Sequence, residues 1–202
     1  EDLAHVTTSG FRAEGDDIVL LGRNTAELGG SEYLKTMHGL VAGDAPALDI
    51  AAEAALQRAL LAAIRAGLVR SAHDPAEGGL AVALAESAFA DPSRPFGVQV
   101  ELRDVLPRSA LLFGEAQSRV VVSCDPASTD ALLALMAEHG VPAERIGSVG
   151  PVGGVFRVAT ADAVVEAPIA SLAGIFYGAI PRRMDGSPAD VETALESEVQ
   201  NG

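Results

Sequence analysis

An α+β fold, a mixed β-sheet layered against α-helices, is predicted by three features of this chain. Strand-like and helix-like patterns alternate irregularly, without the strict repeat of a doubly wound sheet. Apolar runs between Arg145 and Val165 lie at the close spacing of local hairpins. Hydrophobic residues fill 49% of the 202 positions and charged residues 21%, the make-up of one domain with a real core and ragged ends. Aromatics are only 4% and Trp is absent, so aliphatic side chains and alanine carry the packing.

Residues 1–16 read as a polar lead-in closed by the turn Glu14-Gly15-Asp16. Ile18-Val19-Leu20-Leu21-Gly22 is a short, fully apolar run, the pattern of a buried strand. Thr25 to Gly30 makes a turn, after which Ser31 caps a short helix through Leu34. Asp49 to Ala66 is the clearest helix: Asp49 suits its start, Leu56, Leu60, Ile64 and Leu68 form one stripe, and Gly67 stops it. A short strand over Leu68–Ala72 precedes a helix from Gly78 to Phe89, where Leu80, Leu84 and Ala88 repeat by four. Val98, Val100 and Leu102 alternate with Gln99 and Glu101 as in a half-buried strand. Ser118 to Cys124 is a β-branched strand, and Asp125-Pro126 then opens a helix over Ser128–His139 that Gly140 ends. Arg145–Val149 and Val155–Val158 read as strands joined by a hairpin turn over Gly150–Gly154, with a short strand at Val164-Val165. Ser171 is placed to cap a last helix to about Ile180, and Gly, Ser, Pro, Ala and Glu dominate from 185 to 202, the composition of an acidic flexible tail.

A net charge of −14 argues against nucleic acid, whose phosphates demand clustered Lys and Arg, but leaves a local nucleotide pocket open. Cys124 is the lone cysteine and reads as a plain strand-end residue. No apolar run has membrane-spanning length and no signal peptide is apparent, so a cytoplasmic location is expected.

The segment Ser71-Ala72-His73-Asp74-Pro75-Ala76-Glu77-Gly78-Gly79-Leu80 is the most informative. Two adjacent glycines at a helix mouth let a backbone or an anion reach N–H groups that carry partial positive charge. His73 and Asp74 are candidates for acid–base partners or metal ligands, although neighbouring side chains of an extended segment point to opposite faces. The competing reading has Asp74, with Glu77, capping the helix while His73 bonds locally. Glu115, Gln117, Ser118 and Arg119 form a second compact group, able to hold a polar ligand or simply to supply polarity and a salt bridge at a strand start. Gly29-Gly30-Ser31-Glu32 lacks the Gly-Lys-Ser/Thr of a phosphate loop, and Lys35 with His38 reads as a solvated basic face. No Cys/His set has zinc spacing, and neither a nucleophile elbow nor a dinucleotide fingerprint occurs.

Leu20-Leu21-Gly22 to Leu28-Gly29-Gly30-Ser31-Glu32-Tyr33-Leu34, Ser71 to Leu80, Phe113-Gly114-Glu115 to Gln117-Ser118-Arg119, and the closing Gly178-Ala179-Ile180-Pro181-Arg182-Arg183-Met184 together resemble the family of phosphoribosylformylglycinamidine synthase large subunits. The likeness implies a domain like the C-terminal domain of aminoimidazole ribonucleotide synthetase, the second such domain of the family's chain, each following an ATP-binding domain. Asp2 to Thr8 resembles the junction after the preceding domain, and the lack of an initiator Met makes the opening read as the middle of a larger chain. The expected organisation is a junction over 1–16, the α+β domain over 17–184 and the tail over 185–202.

The resemblance implies an ATP-dependent ligase of de novo purine synthesis. ATP phosphorylates the amide oxygen of formylglycinamide ribonucleotide, and glutamine-derived ammonia displaces the phosphate to give the amidine, with Mg²⁺ neutralising charge. It implies as partners the upstream ATP-binding domains, a glutaminase subunit and a small accessory subunit, with no nucleic acid and no membrane. ATP and Mg²⁺ serve the complete enzyme and none is assigned to this stretch, because the family's catalytic histidines and metal carboxylates lie in the ATP-binding domains. The chain alone is therefore expected to be inactive. The family's first C-terminal-type domain carries a Glu-Ser-Gln substrate triplet; Glu115-Ala116-Gln117 stands in the matching stretch, and Ala116 lacks the hydroxyl. Glu115, Gln117, Ser118, Arg119, His73, Asp74, Gly78 and Gly79 are the candidates for substrate or interface contact, with no catalytic residue and no metal ligand assigned. The alternatives are a non-catalytic binding or assembly module, and part of a related kinase or synthetase of the same superfamily.

Overall fold

A computed structural model describes residues 5–185. The chain runs β1 (Asp17–Leu21), α1 (Glu32–His38), α2 (Ile50–Arg65), β2 (Ser71–His73), α3 (Gly79–Phe89), β3 (Phe96–Glu101), α4 (Arg108–Phe113), β4 (Val120–Cys124), α5 (Thr129–Glu138), β5 (Ala143–Val152), β6 (Val155–Ala159), β7 (Val164–Pro168) and α6 (Ile169–Asp185). The strands form one seven-stranded sheet in the order β2-β4-β1-β5-β3-β6-β7. Every neighbouring pair is antiparallel except β3–β6, so the sheet is mixed and the α+β expectation holds.

The alternation of side chains along β1 explains its unbroken apolar sequence. Ile18 and Leu20 enter one core, with Leu80 and Leu84 of α3 and Leu111 of α4. Val19 and Leu21 enter a second core on the other face, with Leu56, Ala59 and Ala63 of α2 and Leu132 and Met136 of α5. A strand covered on both faces has no need of polar positions. In β3 only one face is covered: Val98 and Val100 are buried while Gln99 and Glu101 are exposed, as the alternating sequence predicts.

Caps fall where side-chain chemistry puts them. Ser31 accepts the Leu34 N–H at the start of α1, and Asp49 accepts the Ala51 and Ala52 N–H groups at the start of α2, each cap contributing about 1 kcal/mol. Gly67 follows α2 with φ +69 and Gly140 follows α5 with φ +72. Cys124 is a buried strand-end thiol, which burial pushes up in pKa.

Four expectations need correction. The segment over Gly150–Gly154 is not a hairpin, because β5 and β6 do not pair: β3 lies between them, bonded to both. The link Gly153-Gly154 steps across the start of β3, donating the Gly153 N–H to the Pro95 carbonyl at 2.7 Å. Glycine suits the crossing: Gly153 has φ +71, and a Cβ on Gly154 would sit 2.8 Å from the Pro151 carbonyl oxygen. The local hairpin is instead β6–β7. Helix α4, between Pro107 and Gly114, is too short to show a period and has no counterpart in the sequence expectations. Ser171 does not cap α6, which begins two residues earlier at buried Ile169, continues past Ile180 and carries Pro181 inside. Two strand bounds also shift: β2 spans Ser71–His73 rather than Leu68–Ala72, and β4 starts at Val120 rather than Ser118.

Residues 5–16 are tied to the body at several points, among them the Gly15 N–H, which is donated to the Val149 carbonyl at 2.9 Å. Phe11 is buried and donates its N–H to the Ser87 carbonyl, and the Thr8 carbonyl accepts the Ala72 N–H beside β2. The expected tail, apart from Asp185, falls outside the described residues. Among the described residues no helix is long and apolar enough to cross a membrane.

Candidate functional site

Three segments far apart in sequence meet at the mouth of α3. The double glycine has a steric role there. Gly78 and Gly79 both have left-handed backbone, with φ +83 and +69, and a Cβ on Gly79 would sit 2.6 Å from the Gly114 carbonyl oxygen. The α3 mouth can therefore press directly on the end of α4. Beside α4 the rings of Phe113 and Tyr33 of α1 stack at 5.0 Å with 11° between planes.

Glu115 closes this junction. One carboxylate oxygen accepts the Gly78 N–H at 2.8 Å and the Glu32 N–H at 2.9 Å, so the leading N–H groups of α3 and α1 converge on a single negative charge. Those groups carry the positive ends of helix dipoles, and an internal carboxylate fills the place an anion would take. Asp74, expected as the cap of α3, makes no such bond; α3 has no side-chain cap. Asp74 is 81% exposed, and its carboxylate lies 3.8 Å from His73 Nδ1. His73 bonds through Nε2 to Glu86 of α3 at 2.9 Å, 13 residues on. His73 is thus satisfied by the protein, though not by a neighbour in sequence, and the reading of Asp74 as a helix cap does not hold: Pro75 to Glu77 intervene between it and Gly78, and Glu115 supplies the acceptor.

The remaining candidates serve the loop itself. Arg119 is 3% exposed, and its guanidinium donates to the carbonyls of Ala116 (3.1 Å) and Gly114 (2.6 Å) and to Asn24 Oδ1 (2.9 Å). Burial pulls its pKa down to about 10, opposed by Glu27 and Asp104. The expected salt bridge on Arg119 does not form; the side chain is a clamp on backbone carbonyls. Ser118 has φ +57, the left-handed region in which a side chain is strained, and donates its hydroxyl to Glu53 of α2 at 2.7 Å. Ala116 is 2% exposed, so the position of the missing triplet hydroxyl is walled off from solvent. In the loop from Glu115 to Arg119 only Gln117 is exposed, with Nε2 3.3 Å from the Glu115 carbonyl oxygen.

Gln117 and Ser118 also line a cleft of about 360 Å³ against Arg23, Thr25, Asp49 and Leu56. Lys35 pairs with Glu32 at 2.9 Å and His38 rests edge-on against Tyr33, both exposed, as a solvated face requires. Among the described residues no group of three or more His, Cys, Asp or Glu side chains is placed to hold a metal ion.

Residues 13–159 match the family model of the AIR synthase related protein, C-terminal domain. The chain belongs to this family. It is similar to phosphoribosylformylglycinamidine synthase subunit PurL of Symbiobacterium thermophilum, 43% identical over 197 residues, covering 92% of this chain and 25% of the relative. Among solved structures it is similar to Thermotoga maritima PurL complexed with FGAR, with a TM-score of 0.71 at 23% identity, covering 85% of this chain and 30% of that one. The same protein complexed with ATP gives a TM-score of 0.66 at 24% identity, covering 85% and 28%. The chain thus spans about a quarter of the length of the curated relative.

In this AIR synthase-related C-terminal domain the structure brings together Glu115, Gly78 and Gly79 directly, with Arg119 holding the loop that presents Glu115. His73 and Asp74 sit before the α3 mouth and do not bond to Glu115. The partners that decide each role, Glu32, Glu53, Glu86 and Asn24, are absent from the sequence candidates. Each lies 13 to 95 residues from the side chain or N–H it serves, and no local spacing encodes such a pairing.

Proposed function

We propose that this chain is the C-terminal domain of the ligase subunit that converts formylglycinamide ribonucleotide to its amidine, using ATP and glutamine-derived ammonia, in cytoplasmic purine synthesis. The observation that carries the reading is the closing of three family motifs on one carboxylate, Glu115. Similarity to PurL, and to a PurL complexed with FGAR, supports the substrate class. The upstream ATP-binding domains, a glutaminase subunit and a small accessory subunit are the partners of this proposal, and Mg²⁺ would be held by the ATP-binding domains.

The chemistry of this junction is that of a scaffold. Activating an amide oxygen with ATP requires cations around a transferring phosphoryl group. Among the described residues the one buried cation, Arg119, directs its donors to backbone carbonyls and Asn24, and Glu115 already occupies the helix N-termini. The chain alone therefore turns over no ATP, while the complete subunit that contains it forms amidine from ribonucleotide, ATP and ammonia. Calorimetric titration of residues 1–202 with ATP-Mg²⁺ and with the ribonucleotide, beside an assay of phosphate release, tests this. Phosphate release by the chain alone refutes the scaffold role; a complete subunit unable to make the amidine refutes the ligase.

A further inference from the structure

Helix α6 runs beyond the part of the body that supports it. Its first half lies on α3: Ile169 and Ala173 are buried, and the Tyr177 hydroxyl donates to the Phe89 carbonyl at 2.9 Å. The same apolar stripe continues at helical spacing through Phe176, Ile180 and Met184, which are 49%, 71% and 79% exposed. Two arginines stand in the last turn. Arg182 is folded back on the carbonyls of Gly178 and Ile175, and Arg183, exposed like Arg182, stands beside the stripe.

Beyond Asp185 the sequence reads Gly-Ser-Pro-Ala-Asp-Val-Glu-Thr-Ala-Leu-Glu-Ser-Glu-Val. Val191, Leu195 and Val199 recur every four residues and would make one stripe about 12 Å long on helical winding, the same length over which Phe176, Ile180 and Met184 are exposed. Ser187 and Asp190 have the spacing of a capping box, with Pro188 at the first helical position. Residues 185–190 separate Met184 from Val191, a connection length that joins antiparallel neighbours. Glu192, Glu196 and Glu198 supply the charge opposite to Arg183.

We propose that residues 187–199 cover the exposed stripe of α6, setting Val191, Leu195 and Val199 against Met184, Ile180 and Phe176. The interaction is mutual. A segment of this length is a marginal helix by itself in water, and among the described residues nothing else covers the apolar end of α6.

Hydrogen exchange of the 202-residue chain, compared with its Val191→Asp/Leu195→Asp variant, tests the proposal. Exchange over β1 and β4, compared between parent and variant, checks that the substitutions spare the fold. The expected result is slowed exchange over 190–199 in the parent, and exchange over 176–184 about tenfold faster in the variant. Exchange over 190–199 at the rate of a free peptide overturns the proposal, as does a variant in which 176–184 is unchanged. So does a parent that sediments as a dimer and becomes monomeric with Ile180→Asp, because a second copy is then the occupant.

Discussion

Two polar junctions stand at opposite ends of β1 and β4, and they satisfy their carboxylates in different ways. At one end Glu115 is satisfied by backbone N–H groups of two helix starts. At the other, Asp16 and Asp17 are satisfied by side chains: Arg70 bonds Asp16 and reaches Asp125 at 2.6 Å, while Arg145 and Thr129 each hold Asp17 at 2.7 Å. The second arrangement is incomplete, for Asp16 is 1% exposed and its second oxygen has no hydrogen-bond partner. Burial raises the Asp16 pKa, with Arg70 opposing the rise. Backbone donors are fixed by the fold, whereas arginine side chains must be ordered at an entropic cost.

The contrast can be broken most severely at the glycine contact. Gly79→Ala places a methyl 2.6 Å from the Gly114 carbonyl on left-handed backbone, and a loss of about 3 kcal/mol or more is expected in urea unfolding. Tolerance of alanine would mean that the α3 mouth and the α4 end are not in contact. Glu115→Ala strands two N–H groups and costs about 2 kcal/mol, whereas Glu115→Gln keeps an acceptor oxygen and recovers part of it. Equal losses for the two variants would show that the charge, rather than the acceptor, holds the helix starts.

At the other end the effect is read against pH. The folded-state pKa of Asp16 lies above its ordinary value of 3.8, so the native state holds this proton more tightly than the unfolded chain. Stability from this group is greatest at acid pH and falls as pH rises from about 3.8 through the raised value. Relative to the parent, Asp16→Asn is therefore expected to gain stability as pH rises above about 4. A difference that stays flat or moves the other way disproves the account of Asp16. The smallest change is at Ser118. Ser118→Gly relieves left-handed strain and loses the bond to Glu53, each about 1 kcal/mol, so the unfolding midpoint should barely move.

Periodicity and caps make most of the fold legible in the sequence itself: the two-faced apolar run of β1, the stripes of α2 and α3, Ser31 and Asp49 as caps. Helix α4 is hidden because six residues between a proline and a glycine show no period. The β5–β6 link misleads because a glycine-rich turn between two strands looks the same whether its arms pair or straddle a third strand. In the site, the residue types are visible and their roles are not. Glu115 and Arg119 stand out as polar groups near a strand, but whether each faces a ligand or the protein's own backbone depends on contacts that only the folded chain creates. Asp16 and Arg70 give no local signal at all.

The straddled strand dictates an order of assembly. Both neighbours of β3 in the sheet, β5 and β6, come after it in the chain. During synthesis, β1 can find β4 once Cys124 has emerged, but Phe96–Glu101 lacks its second flank until Val158 is made. One side of the sheet can thus zip up early. The other must wait, its apolar residues open to chaperones or to misassociation, until most of these 202 residues have left the ribosome.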